Sequence, residues 1–226
     1  MKIGIITALT IEAADYIKHF GLLEQSDNHG LKTYCGHYKK YDIYLAITSC
    51  GKVNAAYCTK HMIDAIQPDC LLHSGIAGGI GNNIHPLDLV VAKEVTYHDV
   101  DPQQMIEFPP CLSAFQCDLG LIDKALKHMQ IMKLSAKVGR IISGDSFIAD
   151  EAKAKLLAKT YQAEMVDMES AAIGQVCQLE NIPLLIIRCA SDEAGNEAID
   201  TYEENEEKAS TQAAQVILSL LENELI

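Results

Sequence analysis

The chain has 226 residues, enough to bury most of its apolar surface in a hydrophobic core without disulfide staples. Hydrophobic residues make up 49% and charged residues 22%, which excludes a disordered or fibrous chain. Acidic residues outnumber basic ones 31 to 18, for a formal net charge of −13, and no lysine/arginine cluster interrupts that excess, so nucleic acid and anionic membrane are excluded as partners.

In chain order, the apolar and β-branched run over 2–7 predicts a strand, and the 3.6-residue pattern over 11–20 a helix. Residues 32–36 and 41–48 read as an antiparallel hairpin, and 54–66 as a helix. Strands follow over 69–73 and 87–95, a helix over 119–129 and a strand over 136–142. A helix over 149–159, a strand over 163–166, a helix over 168–180, a strand over 183–188 and a helix over 203–221 complete the pattern. Strands alternating with helices imply βαβ units. The expected fold is α/β: one three-layer domain over 1–226, with a mixed, mostly parallel twisted sheet flanked by helices. No linker or repeat divides it, and the acidic run over 200–208 reads as a solvated helix start.

Eight cysteines lie mostly inside apolar runs and form no C-x-x-C pair, which argues against zinc-ribbon and thioredoxin readings. They read as small buried hydrophobes in a reducing cytoplasm. The apolar start over 3–9 lacks a basic leader, and Glu12 and Asp15 follow where a cleavage site would lie. No run reaches the ~20 apolar residues of a membrane span.

Ligands of open α/β sheets bind beyond the carboxyl ends of the strands. There the chain carries Ser74-Gly75-Ile76-Ala77-Gly78-Gly79-Ile80-Gly81, read as a loop that permits close backbone approach to a small ligand. It fits no G-x-G-x-x-G register, and Ala46 occupies the glycine position that Gly51-Lys52 would need for a Walker loop. His98, Asp99 and Asp101 lack metal-ligand spacing, so no metal is expected. Glu12, Glu169 and Asp192 each follow a strand end and should converge on one rim. Taken singly they read as a surface helix residue, a first-turn dipole partner and a helix cap. Three carboxylates at one rim point instead to chemistry, with Arg188 placed to orient one of them by a bidentate contact.

Seven ordered blocks carry a resemblance. They are Met1-Lys2-Ile3-Gly4-Ile5-Ile6 with Glu12, Gly51-Lys52-Val53-Asn54-Ala55-Ala56, Ser74-Gly75-Ile76-Ala77-Gly78-Gly79, and Tyr97-His98-Asp99-Val100-Asp101. Ser143-Gly144-Asp145-Ser146-Phe147-Ile148, Val166-Asp167-Met168-Glu169 and Arg188-Cys189-Ala190-Ser191-Asp192 complete them. Together they resemble the nucleoside phosphorylase/uridine phosphorylase superfamily, and within it the 5′-methylthioadenosine/S-adenosylhomocysteine nucleosidases. The resemblance implies hydrolysis of the N-glycosidic bond of a 5′-thio-substituted adenosine, without a cofactor. It implies that Glu12 activates water and Asp192 protonates adenine N7. Glu169 would bind the ribose hydroxyls beside Met168, Phe147 would stack on adenine, and the Ile148 backbone would read its edge. Gly78 and Ala77 would line the ribose and water side. Cys50 and the 100–118 segment would border the 5′ pocket, and Ser191 and Arg188 complete the implied binding residues. A homodimer is implied by resemblance alone.

Two carboxylates flanking a sugar match the logic of inverting glycosidases. Phosphorolysis would need a cationic clamp, yet the chain has two arginines, Arg140 and Arg188, neither in the loop after the first strand or the 75–81 segment. A purine nucleoside phosphorylase, an aminodeoxyfutalosine hydrolase with a bulkier 5′ group, and a nucleoside-binding relative without chemistry stand as alternatives. Three features depart from the resembled pattern. Ile76 stands where serine is usual, removing a hydroxyl that helps hold Glu12. Thr10-Ile11 replace acidic neighbours of Glu12, and the stretch between Asp101 and Cys117 is short.

Overall fold

In the computed structural model, which describes residues 1–195 and 198–226, the apolar N-terminal run forms strand β1 (Lys2–Thr7), buried from Ile3 onward. Helix α1 (Thr10–Phe20) buries Ala13, Tyr16 and Phe20. It ends at Gly21, whose φ of 61° lets the chain reverse so that Leu22 N–H reaches the Ile17 carbonyl at 3.0 Å. Strands β2 (Leu23–Asn28), β3 (Leu31–Tyr38) and β4 (Tyr41–Ile47) follow, then α2 (Lys52–Ile66) and β5 (Cys70–Gly79). Next come β6 (Leu89–Tyr97), α3 (Pro102–Glu107), β7 (Phe115–Gln116), α4 (Leu119–Ile131) and β8 (Ala136–Ser143). The chain closes with α5 (Glu151–Tyr161), β9 (Ala163–Asp167), α6 (Ser170–Glu180), β10 (Leu184–Asp192) and α7 (Ala198–Glu222).

The sheet runs β10-β6-β8-β9-β5-β1-β4-β3-β2, with β7 on β6. β10 also pairs with β5, so β5, β10, β6, β8 and β9 close into a ring from which β1, β4, β3 and β2 extend as an arm. Pairings β1–β4, β1–β5, β5–β10, β6–β8 and β8–β9 are parallel, whereas β2–β3, β3–β4, β5–β9, β6–β7 and β6–β10 are antiparallel. Helices α1 and α4 pack with α7, while α2 packs with α6 and α5 lies on β9, giving the expected helix–sheet–helix layering. Ile3, Ile5, Leu71, Leu72, Ile186 and Ile187 form the fully buried centre. Each such side chain contributes roughly 1.5–3 kcal/mol through burial.

Two strands run further than the sequence suggests. β5 continues through Ser74–Gly79, expected as a loop, and β10 continues to Asp192. The cause is tertiary: β10 and β9 flank the small residues of β5, with Gly78 paired to both Asp192 and Val166, and ladder contacts override weak strand propensity. β2 is exposed throughout and polar after Leu23, so it offers no alternation to read. α3 arises from Asp101, whose carboxylate accepts from Gln103 N–H at 2.8 Å, with Pro102 following it. Cys58, Cys70, Cys117, Cys177 and Cys189 are buried, and all eight cysteines are free. Among the described residues, no helix is long and apolar enough to cross a membrane.

Candidate active site

Glu12 occupies the third position of α1 and is buried at 2% exposure, so it is no surface helix residue. Its Oε2 accepts from Ala8 N–H at 2.7 Å and Leu9 N–H at 2.9 Å. Its Oε1 accepts from Ile76 N–H at 2.8 Å. The carboxylate is thus fixed by three main-chain donors, one of them on β5. The Ile76 departure removes a side-chain hydroxyl but not this backbone grip. Burial raises the Glu12 pKa above the usual carboxylate value, against the opposing pull of Arg188 and the three N–H groups. Gly75 explains how the carboxylate comes so close to β5: a Cβ there would lie 2.1 Å from Glu12 Oε1 and 2.3 Å from Arg188 Nη1.

Beneath the carboxylates lies a charged layer in which sequence reasoning found Arg188, expected to orient a carboxylate, but missed His73 and Asp167. Arg188 is fully buried on β10. Its Nε donates to Asp167 Oδ2 at 3.0 Å, and its Nη2 lies 2.9 Å from the same oxygen and 3.5 Å from Glu169 Oε2. Its Nη1 lies 3.7 Å from Glu12 Oε1. His73 Nδ1 donates to the Ile6 carbonyl at 2.8 Å, leaving Nε2 to accept from Arg188 Nη2 at 2.5 Å. Burial and the adjacent guanidinium push His73 down to about 3, so the imidazole stays neutral. Asp167 accepts from Ser143 Oγ at 2.5 Å and from the Ser170 hydroxyl. Burial alone would raise its pKa, but Arg188 and both hydroxyls hold it below the usual value. Arg188 was expected to contact substrate. It lies under the floor instead, a correction that follows from β10 being buried along its whole length. The sequence signal for this layer was weak: a histidine within an apolar strand and an aspartate two residues before Glu169.

Glu169 precedes α6 without capping it: its carboxylate turns away to accept from Gly51 N–H at 2.9 Å. Burial and the Asp167 charge push its pKa up to about 7, with Arg188 and Gly51 opposing. Asp192 is the last residue of β10 and starts no helix. Its Oδ2 accepts from Ser191 Oγ at 2.7 Å and its Oδ1 from Ala194 N–H at 2.7 Å, while burial raises its pKa.

Glu12, Glu169 and Asp192 all line one cavity of about 230 Å³, with Cys50, Ala77, Gly78, Phe147, Met168 and Ser191. Ile148 lines a small cavity of about 30 Å³ that shares Gly78, Phe147, Met168 and Asp192 with the first. The structure therefore brings every expected site residue except Arg188 and Ile148 to one cleft, places Ile148 in the small adjoining cavity, and adds Leu9, Ile76 and Tyr202. The Phe147 ring is half exposed and meets Tyr202 edge-on at 6.0 Å. The 100–118 segment lines a separate cavity through Val100, Met105, Phe108 and Leu112. Among the described residues, no lysine or arginine lines the cleft, and no cluster of histidine, cysteine and carboxylate groups could hold a metal. Three carboxylates around one guanidinium give the cleft a negative field, suited to a developing cation.

A family model described as the phosphorylase superfamily matches residues 2–222. The chain is 34% identical to a 5′-methylthioadenosine/S-adenosylhomocysteine nucleosidase of Tolumonas auensis, over 98% of this chain and 99% of the relative. A crystal structure of the Helicobacter pylori 5′-methylthioadenosine/S-adenosylhomocysteine nucleosidase superposes with a TM-score of 0.92 at 28% identity, covering 99% and 98% of the two chains. A structure of a Helicobacter pylori futalosine hydrolase also gives 0.92 at 28% identity, covering 99% and 98%. With a buried carboxylate cleft on this ring of strands and a full-length match, the chain belongs to the phosphorylase superfamily and, within it, to the 5′-methylthioadenosine/S-adenosylhomocysteine nucleosidases, a family of N-glycosyl hydrolases.

Proposed function

We propose that the chain, acting as a single catalytic domain over 1–226, hydrolyses the N-glycosidic bond of 5′-methylthioadenosine, S-adenosylhomocysteine and related 5′-substituted adenosines. The observation that carries this reading is the placement of two buried carboxylic groups, Glu12 on helix α1 and Asp192 at the end of strand β10, around one cleft. As the C1′–N9 bond breaks, its electron pair passes to the base and Asp192 gives its proton to adenine N7. The raised pKa of Asp192 favours the protonated form that this step needs. The ribosyl cation is met by water, whose oxygen bonds to C1′ and whose proton passes to Glu12. Glu169 accepts from the ribose hydroxyls beside Met168. Phe147 stacks on adenine, the Ile148 backbone reads its edge, and Ala77 and Gly78 border the ribose. Ser191 orients Asp192 through their 2.7 Å hydrogen bond. Cys50, with Leu9 and Tyr202, borders the 5′ substituent. Arg188 positions Glu12, Asp167 and Glu169 without touching substrate.

Water rather than phosphate as nucleophile is supported by the fate of both arginines. Arg140 is paired with Glu94 at 2.8 Å, and Arg188 is sealed beneath the carboxylates. A negative wall at the nucleophile position also repels a phosphate dianion. Exposed Val53, Tyr57, Ile106, Phe108 and Leu179 support a homodimer, and eight unpaired cysteines support a reducing cytoplasm. The test is incubation of purified protein with 5′-methylthioadenosine, with and without phosphate, followed by chromatography. Adenine with free methylthioribose, indifferent to phosphate, is the expected result. A sugar 1-phosphate would make it a phosphorylase. Adenine released only from an aminodeoxyfutalosine substrate would shift the assignment to that hydrolase, and binding without release would leave a nucleoside-binding protein.

A further inference from the structure

Lys52, the first residue of α2, sits where three loops meet. Its Nζ lies 2.8 and 2.7 Å from the two carboxylate oxygens of Asp99, and 3.5 Å from Asp145 Oδ2. Its ammonium also lies 5.3 Å from the centre of the Tyr97 ring. The backbone closes the same knot. Lys52 N–H donates to Asp145 Oδ1 at 2.9 Å, and Asp145 N–H donates to Asp99 Oδ2 at 3.0 Å. Gly144 lets these loops touch, since a Cβ there would lie 2.4 Å from the His98 ring and 3.1 Å from Asp99 Cγ.

Two of the three loops reach the cleft, through Cys50 and Phe147, while the 97–101 loop borders the separate cavity through Tyr97 and Val100. Gly51, next to Lys52, donates its N–H to Glu169. Asp145 lies two residues before Phe147, and Asp99 stands at the root of the 101–117 segment. The lysine and aspartate side chains are only 21% and 30% exposed, so water and salt screen the pair less than an open surface pair. Without the ammonium, Asp99 and Asp145 would face each other as like charges.

We infer that Lys52 is a positioning residue, whose ammonium draws the 97–101 and 143–147 loops onto the start of α2 and so sets both the Phe147 ring over the cleft and the Gly51 N–H against Glu169. In its catalytic consequence this rests on the nucleosidase reading given above; the loop geometry itself does not. Glu169 and Phe147 touch the nucleoside, and Lys52 acts only through them.

The test compares Lys52→Met, Lys52→Arg and Asp99→Asn with the parent. Amide hydrogen exchange without substrate should quicken about tenfold at 50–52 and 144–148 in Lys52→Met, and return to near the parent in Lys52→Arg. The KM for 5′-methylthioadenosine should rise about tenfold in Lys52→Met while kcat falls less, with adenine binding weakened to match and Lys52→Arg restoring both. Asp99→Asn, which keeps the lysine, should fall between them and serves if Lys52→Met does not fold. A folded Lys52→Met protein with parental exchange and parental adenine affinity overturns the inference. A lowered Tm with those two readouts unmoved would also overturn it, leaving a merely structural ion pair. A parent enzyme that releases no adenine overturns the nucleosidase reading instead, and the exchange measurement still decides the role of Lys52.

Discussion

Gly75→Ala is a one-carbon change that strikes the site from behind. The new Cβ would stand 2.1 Å from Glu12 Oε1, 2.6 Å from Glu12 Cδ and 2.3 Å from Arg188 Nη1, against an ordinary contact of 3.4 Å or more. Both side chains are fully enclosed, so the carboxylate must retreat by more than about 1 Å. It cannot do so while keeping its bonds to Ala8, Leu9 and Ile76 N–H, all between 2.7 and 2.9 Å. Losing one such charged hydrogen bond costs about 1.5–3 kcal/mol. With Glu12 as the proposed base, a displacement of that size should reduce turnover by about 10²-fold. Overpacking adds a stability loss of about 1–3 kcal/mol, or roughly 2–10 °C in Tm for a chain of this length. Adenine release from 5′-methylthioadenosine and a thermal melt measure the two effects. A folded Gly75→Ala protein with parental turnover and Tm would refute the packing argument.

Three further outcomes are expected. The proposed mechanism needs Glu12 ionised and Asp192 protonated, so kcat/KM should be bell-shaped: falling as pH drops through the raised Glu12 pKa, and falling as pH rises through the raised Asp192 pKa. A flat profile from pH 4 to 9 would contradict those roles. Glu169, raised from 4.5 to about 7, stabilises the fold below its unfolded pKa and loses that contribution as pH rises through 7, so Glu169→Gln should gain Tm relative to the parent at pH 8. The gain, on the order of 2–3 kcal/mol, should shrink at pH 5, and melts showing the same difference at both pH values would count against it. Arg188→Met strands the buried carboxylates and should cost about 3–5 kcal/mol in urea unfolding. Arg188→Lys should rescue little, because Nε and Nη2 serve Asp167 and His73 together; full rescue by lysine would show that charge alone suffices.

The alternation of strands and helices was readable because β1, β5 and β10 each carry a short run of Ile or Leu buried on both faces. Closure of the ring was not, since it rests on β10 pairing with both β5 and β6, which no local pattern encodes. The carboxylates Glu12, Glu169 and Asp192 were legible as a set through their positions after strand ends. Their depth was not: Glu12 reads as a helix-surface residue until β5 brings Ile76 N–H to it. Arg188 was found but misplaced, because burial of a whole strand depends on helices far away in sequence. His73 and Asp167 went unseen because a buried histidine and its partners differ from an ordinary strand only in three dimensions.

The central claim is that Glu12 and Asp192 do the chemistry, and single-turnover adenine release by Glu12→Gln and Asp192→Asn tests it most directly. Each variant, confirmed folded by a melt near the parental Tm, should lose about 10²–10⁴-fold in rate on 5′-methylthioadenosine. Either variant releasing adenine at close to the parental rate would contradict the assignment.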